Sequence, residues 1–158
     1  LTMRTLICFL FFFCYYQSAL AQPSYKDSIK SYLTQKKKAG KYYNDKDEDG
    51  KRSYYFQKSS EQIITTIINP KASHQSYIYN YRDGKLIMMQ LYLPYEMMPE
   101  SRGKKMYGRY YFRDGELVDK DLMNFPEVDV SFYYQIGVEL YKRGVKFLKE
   151  KGKVVRDY

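Results

Sequence analysis

The sequence predicts an α+β domain spanning residues 22–158. It comprises an antiparallel meander of four to six strands, an N-terminal helix, and a long C-terminal helix packed on one face. Three observations carry this expectation. Short stretches of aromatic and polar alternation are separated by Asp-Gly pairs, the residues a tight hairpin needs. Helical periodicity occurs at the two ends of this region. No linker or shift in composition divides it.

Residues 3–21 precede that domain and read as a cleavable secretory signal. Arg4 supplies the positive charge, and Leu6 to Tyr16 is an unbroken apolar and aromatic run. Ala19 and Ala21 match the small-x-small rule, so cleavage is expected between Ala21 and Gln22. The run falls short of the roughly 20 apolar residues of a membrane-spanning helix. No stable membrane anchor is therefore expected after cleavage. Phe12-Phe13 before Cys14 argues against lipidation, which wants small residues there. Cys8 and Cys14 both leave with the signal. The remaining chain has no thiol for a disulfide, a redox motif or a thiolate metal site, and must be held by its core. A periplasmic or secreted bacterial setting fits that composition.

The elements follow in order. Ser24 and Asp27 form an S-x-x-D capping box, and Tyr25, Ile29, Tyr32 and Leu33 share one helical face. Lys36 to Lys38 suit the carbonyl end of the helix, and Gly40 its stop. Residues 41–62 read as strand, turn, strand, with the polar tract Asn44 to Gly50 as the turn. The run from Ile63 to Ile68 is β-branched, which favours strand, although its i, i+4 pairs also fit a short helix. Tyr77, Tyr79 and Tyr81 alternate on one face of the next strand. Arg82-Asp83-Gly84 turns it into an apolar strand from Lys85 to Leu93, and Pro94 and Pro99 bracket a break.

The hairpin then recurs. Tyr79 to Ile87, with Arg82-Asp83-Gly84-Lys85-Leu86 at its centre, matches Tyr110 to Val118, with Arg113-Asp114-Gly115-Glu116-Leu117. Two copies are too few for a solenoid, so two hairpins of one meander are expected. The last element is a helix over residues 127–150. Phe132, Ile136 and Leu140 line one face, with Tyr133, Gly137, Tyr141 and Gly144 beside it. Gly137 and Gly144 cost helix propensity, which points to close packing against the sheet. Beyond Gly152 the tail reads as frayed or strand-like.

Charge and composition narrow the function. The full chain carries 27 basic and 18 acidic side chains, a net charge of +9. That balance favours anionic partners, although the cations are dispersed and a solvated basic surface is the plainer reading. Twenty tyrosines accompany no tryptophan. Tyrosine serves half-buried strands and also binding surfaces for protein or sugar rings.

Several groups could carry chemistry. Asp45, Asp47 and Asp49 before Gly50 alternate like the start of a calcium loop. Phe56 stands where an EF-hand needs its glutamate, and Lys46, Lys51 and Arg52 oppose the field, so a solvated acidic turn competes with calcium. His74 is the single histidine, in a loop without zinc partners or a G-x-S-x-G context. Asp114, Glu116, Asp119 and Asp121 cluster at a hairpin. A glycosidase pair depends on their separation in space. Lys104 to Tyr111 interleaves cations with aromatics, as single-strand binders do, but lacks the RNP1 pattern, and export argues against nucleic acid as a partner.

The signal ending Ala-Leu-Ala-Gln, the aromatic Arg-Asp-Gly-x-Leu hairpins and the closing aromatic helix resemble small exported proteins of unknown function from Gram-negative bacteria. The resemblance is structural, and no catalytic residue is carried over from it. The expected function is a non-enzymatic envelope or secreted module that binds a protein or an anionic glycan through a tyrosine-rich sheet surface. Tyr77, Tyr79, Tyr81, Arg109 and Tyr111 are its expected ligand-binding residues. A hydrolase of envelope polymers and a calcium-stabilised module using Asp45 to Gly50 are the alternatives.

Overall fold

The computed structural model describes residues 24–36, 40–47, 50–58, 62–70, 75–92 and 106–156. Helix α1 (Tyr25–Lys36) leads into strands β1 (Lys41–Asp47), β2 (Gly50–Lys58), β3 (Gln62–Pro70), β4 (Ser76–Arg82), β5 (Lys85–Tyr92), β6 (Tyr107–Arg113) and β7 (Glu116–Met123). Helix α2 (Val130–Glu150) follows. The strands form one antiparallel sheet in chain order, β1 to β7.

Seven strands exceed the expected four to six. One segment accounts for the seventh strand. The Ile63–Ile68 run is a strand, because a strand buried on both faces wants β-branched residues throughout. The polar tract after Tyr43 pairs as well and lengthens β1: Asn44 faces Ser53 and Asp45 faces Arg52.

The hairpin turns behave as their residues require. Asp83 and Gly84 both adopt positive φ, as do Asp114 and Gly115, which is the geometry of a two-residue hairpin loop. Each hairpin carries a bulge at the same distance from its turn, at Ile87 in β5 and at Val118 in β7. The sequence repeat is thus a repeat of geometry. Asp83 also clasps the start of β3, its carboxylate accepting from the Gln62 amide at 2.7 Å.

The two helices cover opposite faces of the sheet. Beneath α1 lies a small cluster of Ile29, Leu33, Ile87, Met88 and Tyr111. The Ser24 hydroxyl donates to Asp27 at 2.7 Å and accepts from its amide at 3.2 Å, so the expected cap forms. Beneath α2 lies the larger cluster, including Tyr54, Phe56, Ile64, Tyr79, Tyr81, Met89, Tyr110, Phe112 and Leu148. Helix α2 begins at Val130 rather than 127, because Asp129 takes an extended backbone and its side chain accepts from the Phe132 amide. Its buried stripe is rotated from the expected one. Gly137, Leu140, Gly144, Val145 and Leu148 face the sheet, while Phe132 is 59% exposed. The glycines set this rotation. A Cβ on Gly137 would lie 2.8 Å from the Tyr79 ring, and one on Gly144 2.9 Å from the Tyr54 ring. The C-terminal tail docks instead of fraying. The Arg156 amide donates to Gln62 Oε1 at 2.7 Å, and Val155 is buried.

Gly137→Ala and Gly144→Ala should therefore each lower stability. Alanine gains about 1 kcal/mol of helix propensity, but overpacking against a rigid ring costs about 1–3 kcal/mol. Denaturant melts should show a net loss at both positions. A gain at either would mean that the helix is not held at this distance from the sheet.

Candidate functional site

The five expected ligand-binding residues fall in two places. Tyr77, Tyr79 and Tyr81 share the face of β4 beneath α2, as their alternation requires. Tyr79 and Tyr81 are 0% and 1% exposed, so they are core residues and offer no surface to a ligand. Tyr81 donates its hydroxyl to the Gly137 carbonyl at 2.6 Å, and its ring meets Tyr141 at 5.1 Å. Tyr77 is half-buried against the Tyr133 ring. The alternation itself was legible, but which face α2 would cover was not.

Burial also fixes the chemistry of these phenols. It raises the Tyr77 hydroxyl to about 12, with Tyr133 adding to the effect. It pushes Tyr79 higher still and raises Tyr81 well above the ordinary value, with neighbouring tyrosines reinforcing it. All three remain protonated wherever the fold is intact at moderate pH.

Arg109 and Tyr111 lie on the opposite face, beside α1. Strand parity places Tyr107, Arg109 and Tyr111 together there, and pairing with β7 brings Asp121 opposite Arg109 and Asp119 opposite Tyr111. Helix α1 then adds its own cations. Lys30 Nζ donates to Asp121 at 3.2 Å, Arg109 approaches the same carboxylate oxygen at 3.7 Å, and Lys26 reaches Asp119 at 3.9 Å. The Arg109 guanidinium also stacks over the Tyr107 ring, 4.2 Å from its centroid. Next to it, Gln90 donates to the Tyr92 hydroxyl at 2.6 Å, and Tyr92 meets Tyr107 edge-on.

The floor of this patch is polar and buried. The Tyr111 hydroxyl has no hydrogen-bond partner although the residue is fully buried. Two strands away, beyond Met88, Asn80 Oδ1 accepts from Thr65 at 2.9 Å, and Asn80 Nδ2 has no partner. Burial raises the Tyr111 hydroxyl, while Lys30 and Arg109 pull against that shift. Burial works against the Lys30 ammonium, but its hydrogen bond to Asp121 and the charges of Tyr111 and Asp121 outweigh it and hold its pKa above the ordinary value.

The remaining candidates are dispersed. Asp45 lies in regular strand β1, with its carboxylate 3.9 Å from Arg143, and the backbone of Asp47 pairs with Gly50. Asp49 and His74 lie outside the described residues. Asp114 bonds Lys85 at 2.6 Å, which holds its carboxyl below the usual range, far from the Asp119 and Asp121 pairs in role. Among the described residues no three His, Cys, Asp or Glu side chains come together as metal ligands, and no helix is long and apolar enough to cross a membrane. Sequence reading missed Lys30, Tyr107 and Asp121 as partners of Arg109. Period-two alternation within β6 pointed to Tyr107, but Lys30 depends on where α1 docks.

No family model, no curated protein and no solved structure matches this chain.

The buried tyrosines make a pH dependence testable. Unfolded tyrosine ionises near 10.0, whereas Tyr77 in the fold does so at about 12, Tyr79 beyond that, and Tyr81 well above the ordinary value. Because the folded values are raised, this contribution is complete below pH 10.0 and is lost as pH climbs through the folded values. Tyrosinate absorbance should lag behind that of free tyrosine and then rise together with loss of near-ultraviolet circular dichroism. Full ionisation of all tyrosines near pH 10.0 with the fold intact would contradict the burial described.

Proposed function

We propose that the protein is an exported, non-enzymatic binding module of the bacterial envelope that engages an anionic glycan. The contact is made through the Arg109 patch on the α1 face. One observation carries this reading: two cations, Lys30 and Arg109, converge on the single carboxylate of Asp121. An additional acidic group approaching Lys30 and Arg109 is favoured by the uncompensated charge. Tyr107 and Tyr92 stand beside them with half-buried rings, on which a sugar can stack. The net charge of +9 adds long-range attraction to any polyanion. Export rests on the leader over residues 3–21, whose removal also takes away both cysteines.

Dextran sulfate and uncharged dextran share a backbone and separate charge from sugar shape. Dextran sulfate should bind with an affinity that falls as salt rises, and dextran only weakly. Arg109→Gln with Lys30→Gln should weaken dextran sulfate binding at least about tenfold, since each lost charge-assisted hydrogen bond contributes about 1.5–3 kcal/mol. Lys142→Gln with Lys146→Gln removes the same charge from the opposite face and should change binding far less. Equal losses in the two double variants would reduce the patch to general basicity and sink the proposal. Export has its own check. The full chain produced in a Gram-negative host should be recovered from the periplasm with Gln22 as its first residue. Recovery from the cytoplasm at full length would refute it.

A further inference from the structure

A second concave surface lies on the other face of the sheet. The meander sets the two Asp-Gly turns side by side at one sheet end, and the middle of α2 passes over them. Between them is a cleft of about 400 Å³, within the range of small-molecule sites. Its aromatic lining is Tyr134 and Tyr141, with Leu86 and Val138 between them and the buried Tyr81 behind. On the turn side, Gly84 and Gly115 contribute backbone only. Both hold positive φ, and a Cβ on Gly115 would come within 3.4 Å of the Tyr134 hydroxyl. The rim is charged but balanced. Lys85 bonds Asp114 across the two turns, and Lys142 bonds Glu139 along the helix.

We propose that this cleft binds a neutral pyranose sugar, one or two residues long. A pyranose presents C–H faces to aromatic rings and hydroxyls to polar groups at its edge, and the cleft brings aromatic side chains and polar rim groups together. A purely apolar ligand would strip water from the Lys85–Asp114 pair without replacing it. A strongly charged ligand finds no surplus charge here, because each rim lysine already has its carboxylate. The exposed Lys85–Asp114 pair costs little to rearrange, so both groups can turn toward sugar hydroxyls. The site is independent of the anion-binding Arg109 patch, which lies on the α1 face.

Amide shifts in the isotope-labelled full chain, titrated with cellobiose, maltose and chitobiose at millimolar concentration, provide the test. At least one of the three should shift the Gly84, Gly115, Val138 and Tyr141 amides saturably. Val138→Phe, which fills the cleft, should abolish the response. Tyr134→Leu, which keeps apolar bulk but removes a ring, should weaken it about tenfold or more. A melting curve on each variant identifies one that has lost its fold, and the other variant then decides. The proposal is overturned if none of the three sugars shifts these amides, if the shifts are scattered over the surface, or if the folded variants respond like the parent. A response to dextran sulfate alone overturns it as well.

Discussion

The close approach of α2 to the sheet is the constraint on which the rest of this structure depends. Gly137 lies on the ring of Tyr79 and Gly144 on the ring of Tyr54, with no room for a Cβ at either. These contacts set the rotation and height of the helix. Tyr133, Tyr134, Tyr141 and Phe147 can then reach Tyr77, Phe112, Tyr81 and Tyr54 in ring contacts of 5.0 to 5.7 Å. A helix one methyl further out would lose those contacts together, because dispersion falls steeply with distance. The tyrosine-rich composition therefore serves the core first.

A core built from tyrosines carries a polar burden. Each buried phenol must either find an acceptor or accept the cost of going without. Tyr81 finds the Gly137 carbonyl. Tyr79 and Tyr110 leave their hydroxyls without a partner beneath α2, as Tyr111 does beneath α1. On the α1 side the cover is slighter. A twelve-residue helix meets the sheet through five buried apolar or aromatic residues and a fringe of ion pairs. That face retains Thr65, Asn80 and Gln90 among its buried residues. The two faces thus differ in kind: one is an aromatic core, and the other is polar with its cations gathered around Asp121.

The same repeat serves both faces. Its Asp-Gly turns fix register, and its bulges swing the following residues so that Leu86 faces α2 while Ile87 and Met88 face α1. In the second copy the bulge falls at Val118 in the edge strand β7, where the residue is left exposed. Edge strands β1 and β7 carry Lys41, Lys46 and Lys120, charges that discourage pairing with another chain.

Much of this was legible in the residues alone because the signals are local. A capping box, a positive-φ turn and a β-branched run each act within a few residues, so Ser24–Asp27, Asp83-Gly84, Asp114-Gly115 and Ile63–Ile68 took the structures their chemistry favours. The alternation of Tyr77, Tyr79 and Tyr81 placed them on one face but could not say that α2 would bury that face. Likewise Arg109 and Tyr111 were identifiable as neighbours on a strand, while Lys30 and Asp121 join them only through helix docking and strand pairing. Periodicity determines which side chains point together. The partner they meet is a long-range choice: the fit of two glycines against two tyrosine rings made it under α2, and the docking of α1 beside β6 and β7 made it on the other face.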